Sequence, residues 1–167
     1  MSGSFTIELL SAKHDRGSFS CGVEPLDRYL RTQASQDARR RVSNCFVAVQ
    51  EDDVSVAGYY TLAASSIPLT ELPADLVSRL PNYAVIPAAL VGRLAVDSHH
   101  AGKALGSALL YDALARAMNA EPAIFALVVD AKDERAAGFY RRFGFLPFTS
   151  RPLSFFLPIA TAVKMTR

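Results

Sequence analysis

The chain has 167 residues and a mass of 18.1 kDa, half of them hydrophobic, with a mean hydropathy of +0.16 and a net charge of +2. These values describe a single globular domain over residues 1–167 with a sizeable core, and they exclude a disordered chain. No run of 18 apolar residues occurs, and Met1–Thr6 lacks the basic-then-apolar layout of a secretory leader, so the sequence predicts a cytoplasmic protein with no membrane partner. Cys21 and Cys45 without CxxC spacing, beside three histidines, supply neither a disulfide framework nor a metal site.

Phe5–Leu10 reads as a first strand, followed by an amphipathic helix from Leu26 to about Arg39 whose apolar face carries Leu26, Tyr29, Leu30 and Ala34. Pro25 suits its first turn. The apolar runs Cys45–Val49 and Val56–Leu62, separated by Glu51-Asp52-Asp53, form a hairpin. A proline-marked passage from Ile67 to Pro87 holds a short helix around Ala74–Arg79. Ala89–Val96 is then a central strand, Leu105–Met118 a helix, and Ile124–Val129 a continuously apolar strand of the kind buried on both faces. A helix from Glu134 to Phe143 ends at Gly144, a residue suited to a left-handed cap, and strands near Leu153–Leu157 and Ala160–Met165 close the chain. This order predicts an α/β or α+β sheet.

Charge is unevenly spread. Residues 28–41 carry Arg28, Arg31, Arg39, Arg40 and Arg41 against one acid, Asp37, which is a basic patch or, more plainly, a solvated helix face. The segment from Arg93 to Gly106 places a turn of small residues between a buried strand and a helix start, where unpaired backbone N–H groups and the positive end of the helix dipole suit a diphosphate. A tight turn needing small residues for packing alone is the other reading of that segment.

Two motifs resemble the GNAT family of acetyl-CoA-dependent N-acyltransferases. Ala101-Gly102-Lys103-Ala104-Leu105-Gly106 is similar to the family's Q/R-x-x-G-x-G/A turn, with Ala101 and Ala104 departing from it, and Asp133 to Phe145 is similar to its N-x-x-A-x-x-x-Y-x-x-x-G-F ending, with Asp133 in place of Asn. Phe19 to Leu30 and Gly92-Arg93-Leu94-Ala95-Val96-Asp97 further resemble the branch of the family that acts as toxins in bacterial toxin–antitoxin modules. Val128-Val129-Asp130-Ala131 fits as well, so the likeness runs from about residue 5 to residue 165.

The resemblance implies a central mixed, mostly antiparallel sheet flanked by helices and splayed at its fourth and fifth strands. It implies transfer of acetyl from acetyl-CoA to the α-amine of aminoacyl-tRNA, which stops translation, and neutralisation by a ribbon-helix-helix antitoxin through which operator DNA is reached. A homodimer is expected. Tyr140 is the expected general acid toward the departing thiolate. Leu94, Ala95 and Val96 would serve the pantetheine arm, and Gly102, Lys103, Ala104, Leu105, Gly106 and Ser107 the pyrophosphate, with Asp133 also assigned to the cofactor side. Arg28, Arg31, Arg39, Arg40, Arg41 and Arg93 would contact tRNA. His14, His99 and His100 are expected to be bystanders on exposed loops, and both cysteines structural thiols. A transferase of small-molecule or protein amines, and a non-catalytic CoA-binding module, are the alternatives. Ala89–Val96 has no carboxylate and only Asp97 stands at its end, which suits an amine that is already partly neutral.

Overall fold

Residues 4–165 are described by a computed structural model. The sheet runs in the order β1-β2-β3-β4-β5-β7-β6, and β3 and β4 are long enough that each contributes to both of the two compact units into which the chain divides.

The first unit holds the chain to Ala63 together with Gly92–Ala113. β1 (Phe5–Leu9) pairs antiparallel with β2 (Asn44–Gln50), which pairs antiparallel with β3 (Gly58–Pro68). The acidic hairpin turn forms as expected, with Asp52 left-handed at φ 62°, a conformation that aspartate tolerates. β3 begins at Gly58, two residues later than the pattern predicts, because Ser55 and Val56 are diverted: Ser55 bridges Asp15 and the Val56 N–H bonds to the Asp15 carbonyl at 3.0 Å.

The single helix expected over 26–39 is two, α1 (Glu24–Thr32) and α2 (Ala34–Arg39), with the break at Gln33, φ −119°. Neither Pro nor Gly marks that break. The Gln33 amide and the Tyr29 hydroxyl both reach Asp37 across it, at 3.0 and 2.7 Å, which holds the bend and lets Tyr29, Leu30 and Ala34 all bury. They pack with Phe19, Cys45, Val47, Tyr59 and Ala95 into one apolar cluster.

The second unit holds Ala64–Val91 and the chain from Leu114 onward. It includes α3 (Ala74–Val77) and β4 (Val85–Val96) as far as Val91. The end of α4 (Leu105–Met118) follows, then β5 (Ala126–Asp130) and α5 (Glu134–Phe143). β5 runs parallel to β4 from Ala88↔Ala126 to Val91↔Val129, and antiparallel to β7 (Ser154–Pro158), so the continuous apolar run is paired on both edges. A two-residue strand that the pattern does not predict, β6 (Leu146–Pro147), adds to β7. β4 starts four residues before the expected Ala89, and β3 runs six residues past the expected Leu62, so both ends of the proline-marked passage are strand.

The last expected strand is a helix, α6 (Ile159–Met165). Pro158 pairs with Ala126 as the final residue of β7 and, lacking an N–H, ends the ladder while suiting a helix start. The alanines that follow favour helix, and Ala162 is fully buried.

Candidate active site

Within the first unit, the strand-to-helix turn is built from Asp97 onward. Asp97 is 6% exposed, and its carboxylate accepts hydrogen bonds from the Ser20 N–H (3.0 Å), the His99 N–H (2.9 Å) and the His99 ring (3.0 Å). Burial raises the carboxyl's pKa, but these three bonds outweigh it and hold it below its ordinary value. Asp97 is therefore an ionised cap for a short 3-10 turn, Ser98–His100, with both carboxylate oxygens accepting hydrogen bonds.

The chain then turns sharply. Gly102 has φ 81° and Ala104 φ 60°, so Ala104 takes up the left-handed backbone at the place where the motif has glycine, at a cost of about 1 kcal/mol. The Ala108 N–H returns to the Ala104 carbonyl at 3.1 Å, which makes Ala104 the entry to α4. An alanine side chain cannot cap, and the first turn of α4 carries no acid, so the N–H groups of Leu105, Gly106 and Ser107 have no side-chain acceptor from the residue before them. Ala101 to Ala104 are exposed, Lys103 among them, Gly106 and Ser107 are half-buried, and Leu105 anchors the turn in the core. α4 lies close on β3 because Gly58 has no side chain: a Cβ there would meet Leu109 at 3.0 Å and Leu105 at 3.2 Å.

β4 continues past its last partner on β5 at Val91 through Gly92–Val96. Ala95 is buried in the first unit's core, while Leu94 and Val96, on the opposite face, are half-buried.

In the second unit, α5 starts as the sequence predicts. The Asp133 carboxylate accepts from the Ala136 N–H at 2.9 Å and caps the helix, and Gly144 closes it at φ 113°. Tyr140 is 5% exposed, packed against Phe139 and Phe145. Burial, with the nearby charge of Asp130, pushes its phenol up to about 12, so it is protonated throughout the physiological range. The chain's other buried tyrosines each spend their hydroxyl: Tyr29 on Asp37, Tyr59 on the Leu26 carbonyl at 2.6 Å, Tyr60 on Asp112 at 2.6 Å. The hydroxyl of Tyr140 bonds to no protein group among the described residues, which leaves it a proton donor for a ligand.

The expected basic patch separates into parts. Arg28 and Arg31 both reach Glu24, at 3.5 and 3.3 Å, and are partly neutralised by it. Arg39, Arg40 and Arg41 are exposed at the C-terminal end of α2, where positive charge complements the helix dipole. Arg93 is elsewhere, on β4, with its guanidinium 3.6 Å from the centre of the Tyr29 ring.

The histidines differ from expectation. His14 is 6% exposed, not on an exposed loop: its Nδ1 accepts from the Ser11 N–H at 3.0 Å, so Nε2 carries the proton and donates to Glu8 at 2.7 Å. His99 is exposed, whereas His100 is half-buried with its ring edge-on to Phe5 at 5.5 Å. Cys45 is buried and its thiol pushed up to about 12 by burial, so it is not a nucleophile. Among the described residues no group of His, Cys, Asp and Glu could hold a metal ion. The sequence reading missed Tyr29, Gln33 and Asp37 as a connected set; their i, i+4, i+8 spacing is the signal that places them on one helix face.

The acetyltransferase (GNAT) family matches residues 13–145. The tRNA-acetylating toxin of Mycobacterium tuberculosis (strain ATCC 25618 / H37Rv) is 36% identical over 159 residues, 94% of this chain and 93% of its own length. Among solved structures, AtaT complexed with acetyl-methionyl-tRNAfMet is 28% identical, with a TM-score of 0.88 over 98% of this chain and 100% of that one. A tyrosine-to-phenylalanine mutant of AtaT bound to the C-terminus of the antitoxin AtaR and acetyl-CoA is 26% identical, with a TM-score of 0.80 over 98% and 99% of the two chains. With its two motifs in place on strand-to-helix junctions, the chain belongs to the acetyltransferase (GNAT) family.

Proposed function

We propose that this protein is a toxin that moves acetyl from acetyl-CoA to the α-amine of aminoacyl-tRNA and is neutralised by a ribbon-helix-helix antitoxin, through which it reaches operator DNA. The observation that carries the choice of amine is the commitment of Asp97. Ala89–Val96 has no carboxylate, and the one at its end already accepts three hydrogen bonds that hold its own turn, so this strand offers no uncommitted base. A lysine amine of pKa about 10.4 needs such a base, whereas an α-amine of about 7.7–8.0 is already partly neutral. The likeness to a tRNA-acetylating toxin over nearly the whole chain supports the same substrate.

In this reading the N–H groups at the start of α4 and the Lys103 charge hold the pyrophosphate of acetyl-CoA. Backbone groups of Leu94–Val96 hold the pantetheine arm and polarise the thioester oxygen. The neutral amine attacks the thioester carbon, the C–S bond breaks, the phenol proton of Tyr140 passes to the sulfur, and the amine's surplus proton leaves to water. Arg39, Arg40 and Arg41 supply positive charge toward tRNA phosphates. A single domain, a cytoplasmic location and a homodimer belong to the same proposal.

The test is acetyl transfer from labelled acetyl-CoA into charged tRNA, uncharged tRNA, a protein lysate and polyamines, by wild type and Tyr140→Phe. Label entering charged tRNA alone, and falling about 10²- to 10⁴-fold in Tyr140→Phe with the acetyl-CoA KM unchanged, is the expected result. Label in protein or polyamines would move the assignment to another amine. Binding of acetyl-CoA without any transfer would leave a CoA-binding module.

A further inference from the structure

Arg93 is half-buried on β4, and its guanidinium carbon lies over the Tyr29 ring, 3.6 Å from the centroid. Its backbone N–H bonds to the Thr61 hydroxyl at 3.1 Å, but its side chain makes no hydrogen bond or ion pair with a protein group among the described residues. Three other arginines of the first unit already have acceptors. Arg16 donates to the Leu30 carbonyl at 3.2 Å and to the Ser35 hydroxyl at 2.8 Å, and Arg28 and Arg31 share Glu24. Five donors fixed in a plane and left without an acceptor in a partly desolvated position are an incomplete arrangement. It is completed by an anion with two oxygens to offer.

The ring beneath Arg93 is itself held in place. Tyr29 stacks on Tyr59 with centroids 6.4 Å apart and planes within 13°, its hydroxyl donates to Asp37 at 2.7 Å, and Asp37 also accepts from Gln33 at 3.0 Å. Those two hydrogen bonds, with the charges of Arg93 and Arg40, hold the Asp37 carboxyl below its ordinary value and keep it ionised as an acceptor for the phenol. Alternation along β4 puts Arg93 and Ala95 on the face that packs against Tyr29, so the register of one strand and the bend at Gln33 set where the guanidinium sits.

We propose that Arg93 binds a phosphodiester of the acceptor end of the nucleic-acid substrate, and that Tyr29, Gln33 and Asp37 are positioning residues that pre-orient it. The inference rests on the tRNA reading above and deepens it by singling out, among six candidate arginines, the one the fold orients. A phosphodiester is favoured over a protein carboxylate because Arg93 adjoins Leu94–Val96, the stretch assigned to the acyl group, and the phosphodiester is the anion covalently closest to the reacting aminoacyl ester.

Arg93→Gln should raise the KM for charged tRNA about 10- to 100-fold, the loss of charge-assisted bonds to one phosphate, with the acetyl-CoA KM unchanged. Arg93→Lys should recover part of that loss. Tyr29→Phe, which keeps the ring face, should change the KM by about two- to threefold, whereas Tyr29→Leu, which removes it, should cost about tenfold. Tyr29→Leu in the Arg93→Gln background should cost nothing more, a non-additivity that loss of packing alone would not produce. Two small substrates locate the contact: aminoacyl-adenosine with no phosphate, and the same ester on a cytidylyl-adenosine dinucleotide. The Arg93→Gln penalty should appear with the second and vanish with the first. An equal penalty on both, a raised acetyl-CoA KM, or unchanged tRNA kinetics with weakened binding of an acidic antitoxin peptide would each overturn the proposal. If wild type acetylates no charged tRNA, the tRNA reading itself falls; if wild type does and Arg93→Gln matches it, this inference falls alone.

Discussion

α4 and α5 each follow a strand of the sheet through a short connection, and they treat their first turns in opposite ways. α5 closes its own N-terminus: Asp133 caps the Ala136 N–H and Glu134 adds a second negative charge to the first turn. α4 begins after an alanine, has no acid in its first turn, and the nearest upstream carboxylate, Asp97, is spent on Ser20 and His99. The orphan N–H groups and positive dipole end that every helix carries are thus neutralised by nearby acids in one case and left without them in the other, where we propose that the pyrophosphate takes their place. Helix ends in one protein divide between stability and function according to which residue stands at the entry.

The most direct way to break the contrast is to give α4 the entry of α5. Ala104→Asp suits the left-handed backbone, caps the turn and sets a charge against the bound pyrophosphate. We expect acetyl-CoA affinity to fall by about tenfold or more, by calorimetric titration, while thermal stability holds or rises. Undiminished affinity would mean that the turn does not hold the anion.

The second prediction sharpens the role of Tyr140 on the closed helix. Its phenol is raised to about 12, so the acid form is present at every pH below that, and ionisation of the substrate amine sets the profile. The rate constant kcat/KM for charged tRNA should climb with pH until the amine, of pKa about 7.7–8.0 or lower, is neutral, then stay level. A decline starting below about pH 9 would contradict a protonated Tyr140.

The third separates capping from binding. Asp133→Ala should cost about 1 kcal/mol in chemical denaturation, with acetyl-CoA KM unchanged, while Asp133→Asn, which can still cap, should cost no more than a few tenths. A comparably small effect is expected at Ala104→Gly. Relief of a left-handed alanine, largely offset by a more flexible unfolded chain, should stabilise by no more than about 0.5 kcal/mol, read as a shift in the denaturation midpoint.

Both junctions were legible as strand, turn and helix, because an apolar run followed by 3.6-residue periodicity is a local pattern; α5 and its Gly144 cap fall where the sequence puts them. Their difference was only half legible. An alanine in place of glycine at 104 reads as a weakened motif, and the φ of 60° shows that the backbone keeps the glycine conformation regardless. The helix over Ile159–Met165 was misread as a strand because alternation in a six-residue apolar segment does not distinguish the two, and the end of the β7 ladder at Pro158 decides it.

Composition and periodicity alone account for the α/β class, the order of most elements and the two motif-bearing junctions, since each depends on neighbours within a few residues. Contacts across long stretches of chain account for the rest. Asp97 caps its own turn through His99, but its second oxygen is taken by Ser20, 77 residues away. Among the described residues Tyr140 keeps its hydroxyl unbonded, because the groups packed on it are the rings of Phe139 and Phe145. Arg93 is separated from the other arginines because strand register and a bent helix place it on Tyr29. Each outcome turns on which polar groups meet, and spacing in the sequence carries no record of that.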